Sequence, residues 1–178
     1  MEQFNPFTLV GKQILVTGAS SGIGKAIAVA CAKMGATVIV TGRNVERLNE
    51  TLNLMSEGDH KAISADLTKA EDIESLVAEL PKLDGLVQCA GVGSRVPCKN
   101  IGKEDLQHVF MPNVEAPILF QTAILSKRKI NKAASIVYVA SRAANAPSVG
   151  NAAYSASKGA IISYAKCLAL ELAPRLIR

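Results

Sequence analysis

The sequence is poor in the residues that build metal sites and disulfide frameworks. It contains only two histidines, and neither has a partner at metal-ligand spacing, so we expect no metal site. The four cysteines are scattered along the chain and form no disulfide pattern: Cys31, Cys89, Cys98 and Cys167. A reducing, cytoplasmic location is the default expectation for cysteines used in this way.

Other absences exclude further classes of protein. No apolar run reaches the roughly 18 residues of a membrane-spanning helix. The N-terminus MEQFNPFTLVGKQ lacks the basic region and apolar core of a secretory signal. Aromatic residues make up only 4%, and no basic block carries interleaved aromatics, so a nucleic-acid platform is not expected. The net charge of +5 is most simply a mildly basic surface.

What the chain does contain is a regular alternation of apolar runs and helical patterns. Hydrophobic residues make up 49% of the 178 residues, which suits one globular domain with a proper core. Five short runs are predicted to be buried strands: Gln13 to Thr17, Thr37 to Thr41, Ala62 to Ala65, Leu83 to Cys89 and Ser135 to Ala140. Helical patterns cover 25–36, 45–57, 71–80, about 103–126 and 152–173.

This alternation predicts an α/β fold. Strands separated by helices indicate βαβ units, and hence a Rossmann-like, doubly wound parallel sheet in three α/β/α layers, as one domain over 1–178. The charged segment KRKINKA, at 127–133, is expected to be a solvated loop. The residues LIR after Pro174 have the character of a sixth strand, so we expect the sequence to be incomplete at its C-terminus.

A glycine-rich turn follows the first predicted strand and opens a helix. Glycine tolerates the backbone angles of a tight turn, and the helix N-terminus attracts phosphate through its N–H groups and dipole. The spacing Gly-x-x-x-Gly-x-Gly differs from the common Gly-x-Gly-x-x-Gly, so the signal depends on its βαβ context. The candidate cofactor-binding residues here are Gly18, Ser20, Ser21, Gly22, Ile23 and Gly24.

The residues at the end of the second strand indicate whether the chain prefers NAD or NADP. A carboxylate there accepts hydrogen bonds from the ribose 2′-hydroxyl of NAD, whereas an arginine accommodates the 2′-phosphate of NADP. The strand ends Thr41-Gly42-Arg43-Asn44, without a carboxylate, so NADP(H) is favoured over NAD(H). Arg43 and Asn44 are candidate contacts, and Asn44 also suits a helix N-cap. For Asp66, after the third strand, spacing alone leaves an adenine contact and a helix-entry role equally open.

A serine, a tyrosine and a lysine form the candidate catalytic set. Tyr154 and Lys158 are four residues apart in a helical pattern and therefore share one face. A lysine ammonium favours the phenolate and lowers the high tyrosine pKa, which makes a better general acid. Ser141 ends the fifth strand, where its hydroxyl can hold a reacting oxygen in place.

Together these residues resemble the short-chain dehydrogenase/reductase family. TGASSGIG is similar to its cofactor loop, and YSASK is similar to its Tyr-x-x-x-Lys motif with a serine upstream. The resemblance covers the chain from the first strand to the last helix. It implies that Tyr154 protonates a carbonyl oxygen, that Lys158 binds the nicotinamide ribose and that Ser141 orients the carbonyl.

Further roles follow from the resemblance alone. Asn113, in MPNVEAP, is similar to the family asparagine that kinks the fourth helix and holds a relay water. Asp66 and Leu67 are similar to the adenine-contacting pair. The family's Asn-Asn-Ala-Gly is here Gln88-Cys89-Ala90-Gly91, so Ala90 and Gly91 remain expected cofactor contacts while the asparagine side chains are absent.

Two classes of function follow. The first is an NADPH-dependent reductase that converts a ketone to a secondary alcohol. The overall likeness is to 3-oxoacyl-[acyl-carrier-protein] reductases of fatty-acid synthesis, with sugar, polyol or steroid alcohols as alternative substrates. The second is a dinucleotide-binding sensor or partner subunit without turnover, against which the intact serine, tyrosine and lysine argue. The resemblance also implies a homodimer or homotetramer.

Overall fold

The computed structural model describes residues 5–178, in which five strands form one parallel sheet in the order β3-β2-β1-β4-β5. The strands are β1 (Gln13–Thr17), β2 (Thr37–Gly42), β3 (Lys61–Ser64), β4 (Leu83–Gln88) and β5 (Ile130–Tyr138). Because the order reverses between β1 and β4, a crevice is expected at the carboxyl ends of these two strands. The doubly wound α/β fold predicted from the sequence is confirmed.

Within residues 5–178, six α-helices connect and cover the strands. They are α1 (Gly22–Lys33), α2 (Val45–Leu52), α3 (Ala70–Glu79), α4 (Lys103–Phe110), α5 (Ala116–Ser126) and α6 (Ala152–Leu172). A π-helical turn at Met111–Glu115 joins α4 to α5, in a stretch that contains Pro112 and Pro117, residues that interrupt regular helical hydrogen bonding. No helix within 5–178 is long and apolar enough to cross a membrane.

Alternate residues of the same strands build two separate cores. Leu15 and Ile39 point into a cluster that includes Phe120 of α5, Leu76 of α3 and Leu168 of α6. Val16, Val38 and Val40 point into the other cluster, with Ala28 of α1 and Leu48 of α2. Successive side chains of a strand point to opposite faces, so a sheet covered on both faces needs continuous apolar runs. The result is the predicted three-layer arrangement.

Only residues 127–129 of the charged segment 127–133 form the loop that its charges suggested. β5 begins at Ile130, which is 2% exposed, and continues through Ala133, whose φ of 60° lies in the left-handed region. The register shifts here, because Leu83 pairs with Ile130 whereas Gly85 pairs with Ser135. The bulge removes the alternation by which a strand is recognised from sequence.

The residues LIR at the end of the chain are not a regular strand, because Leu176 has a left-handed φ of 57°. Arg178 nevertheless bonds to β5 through its backbone. Its N–H donates to the Ala134 carbonyl at 3.2 Å, and its carbonyl accepts from the Ile136 N–H at 2.7 Å. Arg178 thus bonds to the residues before and after Ser135 on the neighbouring strand, which is the hydrogen-bond pattern of a parallel ladder.

Two adjacent residues of α5 provide a test of the core. Phe120 is 0% exposed and Leu119 is 58% exposed. Phe120→Ala should lower the free energy of unfolding by about 3–5 kcal/mol, through lost burial and a residual cavity. Leu119→Ala should change it by less than about 0.5 kcal/mol. Urea denaturation followed by circular dichroism measures both, and equal effects would contradict this description of the core.

Candidate active site

A cleft with a volume of about 770 Å³ opens at the carboxyl ends of the strands. The turns after β1, β2, β3 and β4 line it, together with Val139 and Ala140 after β5 and residues of α4 and α6. Because the strands are parallel, the turns that follow them all begin at the same edge of the sheet. The cleft thus lies where the strand order predicts a dinucleotide crevice.

Two glycines of the turn after β1, Gly18 and Gly24, have no room for a side chain. Gly18 has a φ of 65°, and a Cβ on it would lie 2.8 Å from the Cα of Ala90. A Cβ on Gly24 would collide with the carbonyl oxygen of Gly18. These contacts bring backbone N–H groups and the start of α1 to the cleft surface, which is the geometry that a pyrophosphate requires. The turn therefore fits the dinucleotide implied by the sequence.

Thr17 ties this turn to the end of β4. Its buried Oγ1 accepts hydrogen bonds from the N–H groups of Cys89 and Ala90, both at 3.0 Å. The bonds satisfy two backbone donors beyond the end of the ladder. Sequence reasoning did not select Thr17, because its only signal was its place before the first glycine.

Most of the predicted cofactor contacts line the cleft, and one does not. The lining includes Gly18, Ser20, Ser21, Gly22, Ile23, Gly24, Arg43, Asp66, Leu67, Ala90 and Gly91. Asn44 is not among the lining residues. Its Oδ1 accepts from the N–H of Arg47 at 2.8 Å and caps α2, which is the helix-capping role that the sequence also allowed.

Asp66 combines a helix-entry role with a place in the cleft. Its Oδ1 accepts from the N–H of Thr68 at 3.1 Å and from the Thr68 hydroxyl at 2.8 Å. Burial acts to raise the pKa of the Asp66 carboxyl, but these bonds and the charge of Arg43 outweigh it, and the pKa is lowered. A charged carboxylate and Arg43 therefore stand at the β2–β3 end of the cleft.

Tyr154 and Lys158 lie one turn apart on α6, and both line the cleft. The Nζ of Lys158 lies 5.9 Å from the centre of the Tyr154 ring and donates to the carbonyl of Val139 at 2.8 Å. Lys158 is 8% exposed, and burial lowers the pKa of its ammonium. The helix and the segment after β5 thus fix a cation close to the phenol ring.

Asn113 lies behind this pair rather than in the cleft lining. It is 2% exposed in the π-helical turn, where its amide bonds both the N–H and the carbonyl of Val92, at 2.8 and 2.9 Å. Its Nδ2 also donates to the hydroxyl of Ser157 at 3.1 Å, and that hydroxyl donates to the carbonyl of Tyr154 at 2.7 Å. Asn113 therefore connects the β4–α4 loop to the first turn of α6.

Ser141 follows β5 and is also not among the lining residues, although Ala140 next to it is. Its Oγ accepts from the N–H of Ala143 at 3.1 Å and caps the short helix Arg142–Ala144. The structure thus brings Tyr154 and Lys158 together in the cleft and places Ser141 at its border.

Several lining residues were missed by sequence reasoning. Gln107, His108 and Met111 reach the cleft from α4 and the π-helical turn, and nothing in their spacing distinguished them from surface positions. Cys89, which stands where the family has its second asparagine, lines the cleft half-buried. Burial raises the pKa of its thiol, and the nearby Lys158 opposes that change. The thiol is therefore kept in its less reactive protonated form.

Comparison with known proteins agrees with this geometry. The family model described as short chain dehydrogenase matches residues 12–178. The chain belongs to this family.

Its relatives differ in the substrates that their names state. The 3-oxoacyl-[acyl-carrier-protein] reductase FabG of Rickettsia felis is 34% identical over 167 residues, covering 94% of this chain and 69% of the relative. Glucose 1-dehydrogenase of Gluconobacter oxydans is 38% identical over 176 residues, covering 94% and 66%. A solved short chain dehydrogenase from Escherichia coli CFT073, complexed with NADPH, has a TM-score of 0.87 and 33% identity, covering 97% and 75%.

The burial of Lys158 predicts a pH-dependent gain in stability when its charge is removed. Burial lowers the pKa of Lys158 in the folded state, so its positive charge destabilises the fold by the full amount at pH values below that pKa. The destabilisation disappears as the pH rises towards the usual lysine pKa of 10.5. Lys158→Met should therefore raise the Tm at pH 7. This gain should shrink as the pH approaches 10.5.

Lys166→Met is the matched control, because Lys166 is exposed on the same helix. Differential scanning calorimetry across the pH range measures both variants against the unaltered chain. A gain that does not vary with pH, or one that Lys166→Met shares, would show that the burial of the Lys158 charge is not its cause.

Proposed function

We propose that the protein is an NADP(H)-dependent oxidoreductase that reduces a ketone to a secondary alcohol. The observation that carries this proposal is the pairing of Tyr154 and Lys158 on one face of α6, inside the cleft bordered by the glycine turn. A nicotinamide cofactor supplies the hydride when bound. The chain's own residues bind the cofactor, orient the carbonyl and deliver the proton.

In this proposal Tyr154 is the general acid. The Lys158 ammonium near its ring stabilises the phenolate that remains after proton transfer to the carbonyl oxygen. The Oγ of Ser141 accepts a hydrogen bond from the Ala143 N–H, so the hydroxyl hydrogen of Ser141 is free to donate to the substrate's carbonyl oxygen. Asn113, bonded to Val92 and Ser157, positions the backbone around these groups.

The preference for NADP(H) is supported by the end of β2. Arg43 lines the cleft where β2 ends, and β2 itself contains no carboxylate that would repel a 2′-phosphate. An arginine guanidinium suits a phosphate through paired N–H donors. The NADPH in the structure of the Escherichia coli relative is consistent with the same choice.

The substrate favoured is a 3-oxoacyl thioester on acyl carrier protein, because relatives named for that reaction match this chain across 94% of its length. Reduction or oxidation of a sugar or polyol is the second candidate, favoured by the 38% identity to glucose 1-dehydrogenase. The family resemblance alone suggests a homodimer or homotetramer, and the scattered cysteines favour a cytoplasmic location.

Replacing the proposed acid tests the reaction. With an acetoacetyl thioester, the protein should oxidise NADPH at 340 nm, and Tyr154→Phe should lose at least about 100-fold in kcat because it lacks the proton donor. Tyr164→Phe is the control, since Tyr164 packs against Tyr138 outside the cleft. Full activity of Tyr154→Phe, or equal loss in both variants, would rule out the assignment of Tyr154.

Replacing Arg43 tests the cofactor choice. Arg43→Gln should raise the Kd for NADPH by about tenfold, the value of one charge-assisted hydrogen bond, and leave that for NADH nearly unchanged. Arg47→Gln should leave both constants unchanged, because Arg47 is exposed on α2 and does not line the cleft. Titration of nicotinamide fluorescence gives the constants. Parallel losses for NADPH and NADH would contradict contact with the 2′-phosphate.

A further inference from the structure

Gln88, the last residue of β4, is a buried amide in the floor of the cleft. It is 5% exposed and lines the cleft, although the other residues of β4 that pack into the core are apolar. It stands where the family's first asparagine is expected. Burying a side-chain amide costs free energy unless its oxygen and its nitrogen both find hydrogen-bond partners. The contacts of both atoms of Gln88 therefore need an explanation.

The contact to α5 fixes which way the amide points. The Nε2 of Gln88 donates to the carbonyl oxygen of Pro117 at 3.3 Å. A carbonyl oxygen only accepts hydrogen bonds, so the nitrogen must face α5 and the oxygen must face away from it. Among residues 5–178, no donor bonds to this Oε1. The amide thus presents a fixed and unpartnered acceptor at the cleft.

The neighbours of Gln88 place it at the lysine end of the cleft. Its backbone carbonyl accepts from the Val139 N–H at 2.9 Å, and the Val139 carbonyl accepts from Lys158 Nζ at 2.8 Å. Arg43 and Asp66 instead follow β2 and β3, on the other side of β1 in the sheet. Gln88 therefore lies on the same side of the cleft as Lys158, and β1 separates it from Arg43.

We propose that the Oε1 of Gln88 accepts a hydrogen bond from the nicotinamide riboside half of the bound cofactor, from a ribose hydroxyl or the carboxamide N–H. This inference rests on the proposed binding of NADP(H). It gives the glutamine a role in cofactor affinity, while its Nε2 keeps the acceptor in place through Pro117.

Gln121 of α5 provides a matched control. It is also a buried glutamine, at 0% exposure, and it does not line the cleft. Its Oε1 accepts from the Tyr138 hydroxyl at 3.2 Å, and its Nε2 has no partner among the described residues. The two glutamines share burial and side-chain chemistry, and they differ in access to the cleft.

The test compares two ligands on three proteins. Isothermal titration calorimetry measures the binding of NADPH and of adenosine 2′,5′-bisphosphate, which lacks the nicotinamide half, to the unaltered chain, Gln88→Met and Gln121→Met. Gln88→Met should raise the Kd for NADPH about fivefold, the effect of one neutral hydrogen bond, and leave bisphosphate binding unchanged. Gln121→Met should change neither constant.

Two results would overturn the proposal, and a third would contradict the function on which it rests. Equal weakening of both ligands by Gln88→Met would show a structural role through Pro117, and bisphosphate binding also reports whether the variant folds. Unchanged NADPH binding by Gln88→Met would show that Oε1 makes no contact with the cofactor. Failure of the unaltered chain to bind NADPH would instead contradict the proposed function on which the inference rests.

Discussion

The close approach of two turns is the constraint on which the cleft depends. The turn after β1 meets the end of β4 with so little space that a Cβ on Gly18 would lie 2.9 Å from the backbone nitrogen of Ala90. Thr17 holds the same two segments together by accepting both N–H groups after β4. This contact joins the β1–β2–β3 half of the sheet to the β4–β5 half at the point where a doubly wound fold is expected to bind a dinucleotide.

A second set of contacts links that point to Tyr154 and Lys158, the proposed catalytic pair. A Cβ on Gly91 would lie 2.8 Å from Oδ1 of Asn113, so the chain passes close beneath the asparagine. Asn113 then reaches the Tyr154 backbone through Ser157. Buried amides that satisfy all their partners fix a local arrangement, since each broken bond leaves a buried polar group unpaired. The π-helical turn therefore stabilises the site through the hydrogen bonds of Asn113.

The order of elements and the position of the cleft were predictable because they follow from local pattern. Apolar runs such as 13–17 and 37–41 are continuous when a strand is buried on both faces, and the glycine turn is recognisable between a strand and a helix. β5 was harder, because its first residues lie among charges and its bulge at Ala133 breaks the register. The contacts of Gln88, Thr17 and the α4 residues depend on tertiary packing, which spacing does not encode.

The most direct test of whether the approach of Gly18 to Ala90 forms the cofactor site is an NADPH titration of two glycine variants. Gly18 and Gly11 both have positive φ, at 65° and 75°, but a Cβ on Gly11 would meet nothing within 4 Å. Alanine at either position is strained in the same way, so a difference between the variants isolates the crowding at Ala90. If the close approach forms the cofactor site, Gly11→Ala should bind NADPH saturably, whereas folded Gly18→Ala should bind it at least about tenfold more weakly or not at all. Equal binding by both variants would contradict the claim that this close approach forms the cofactor site.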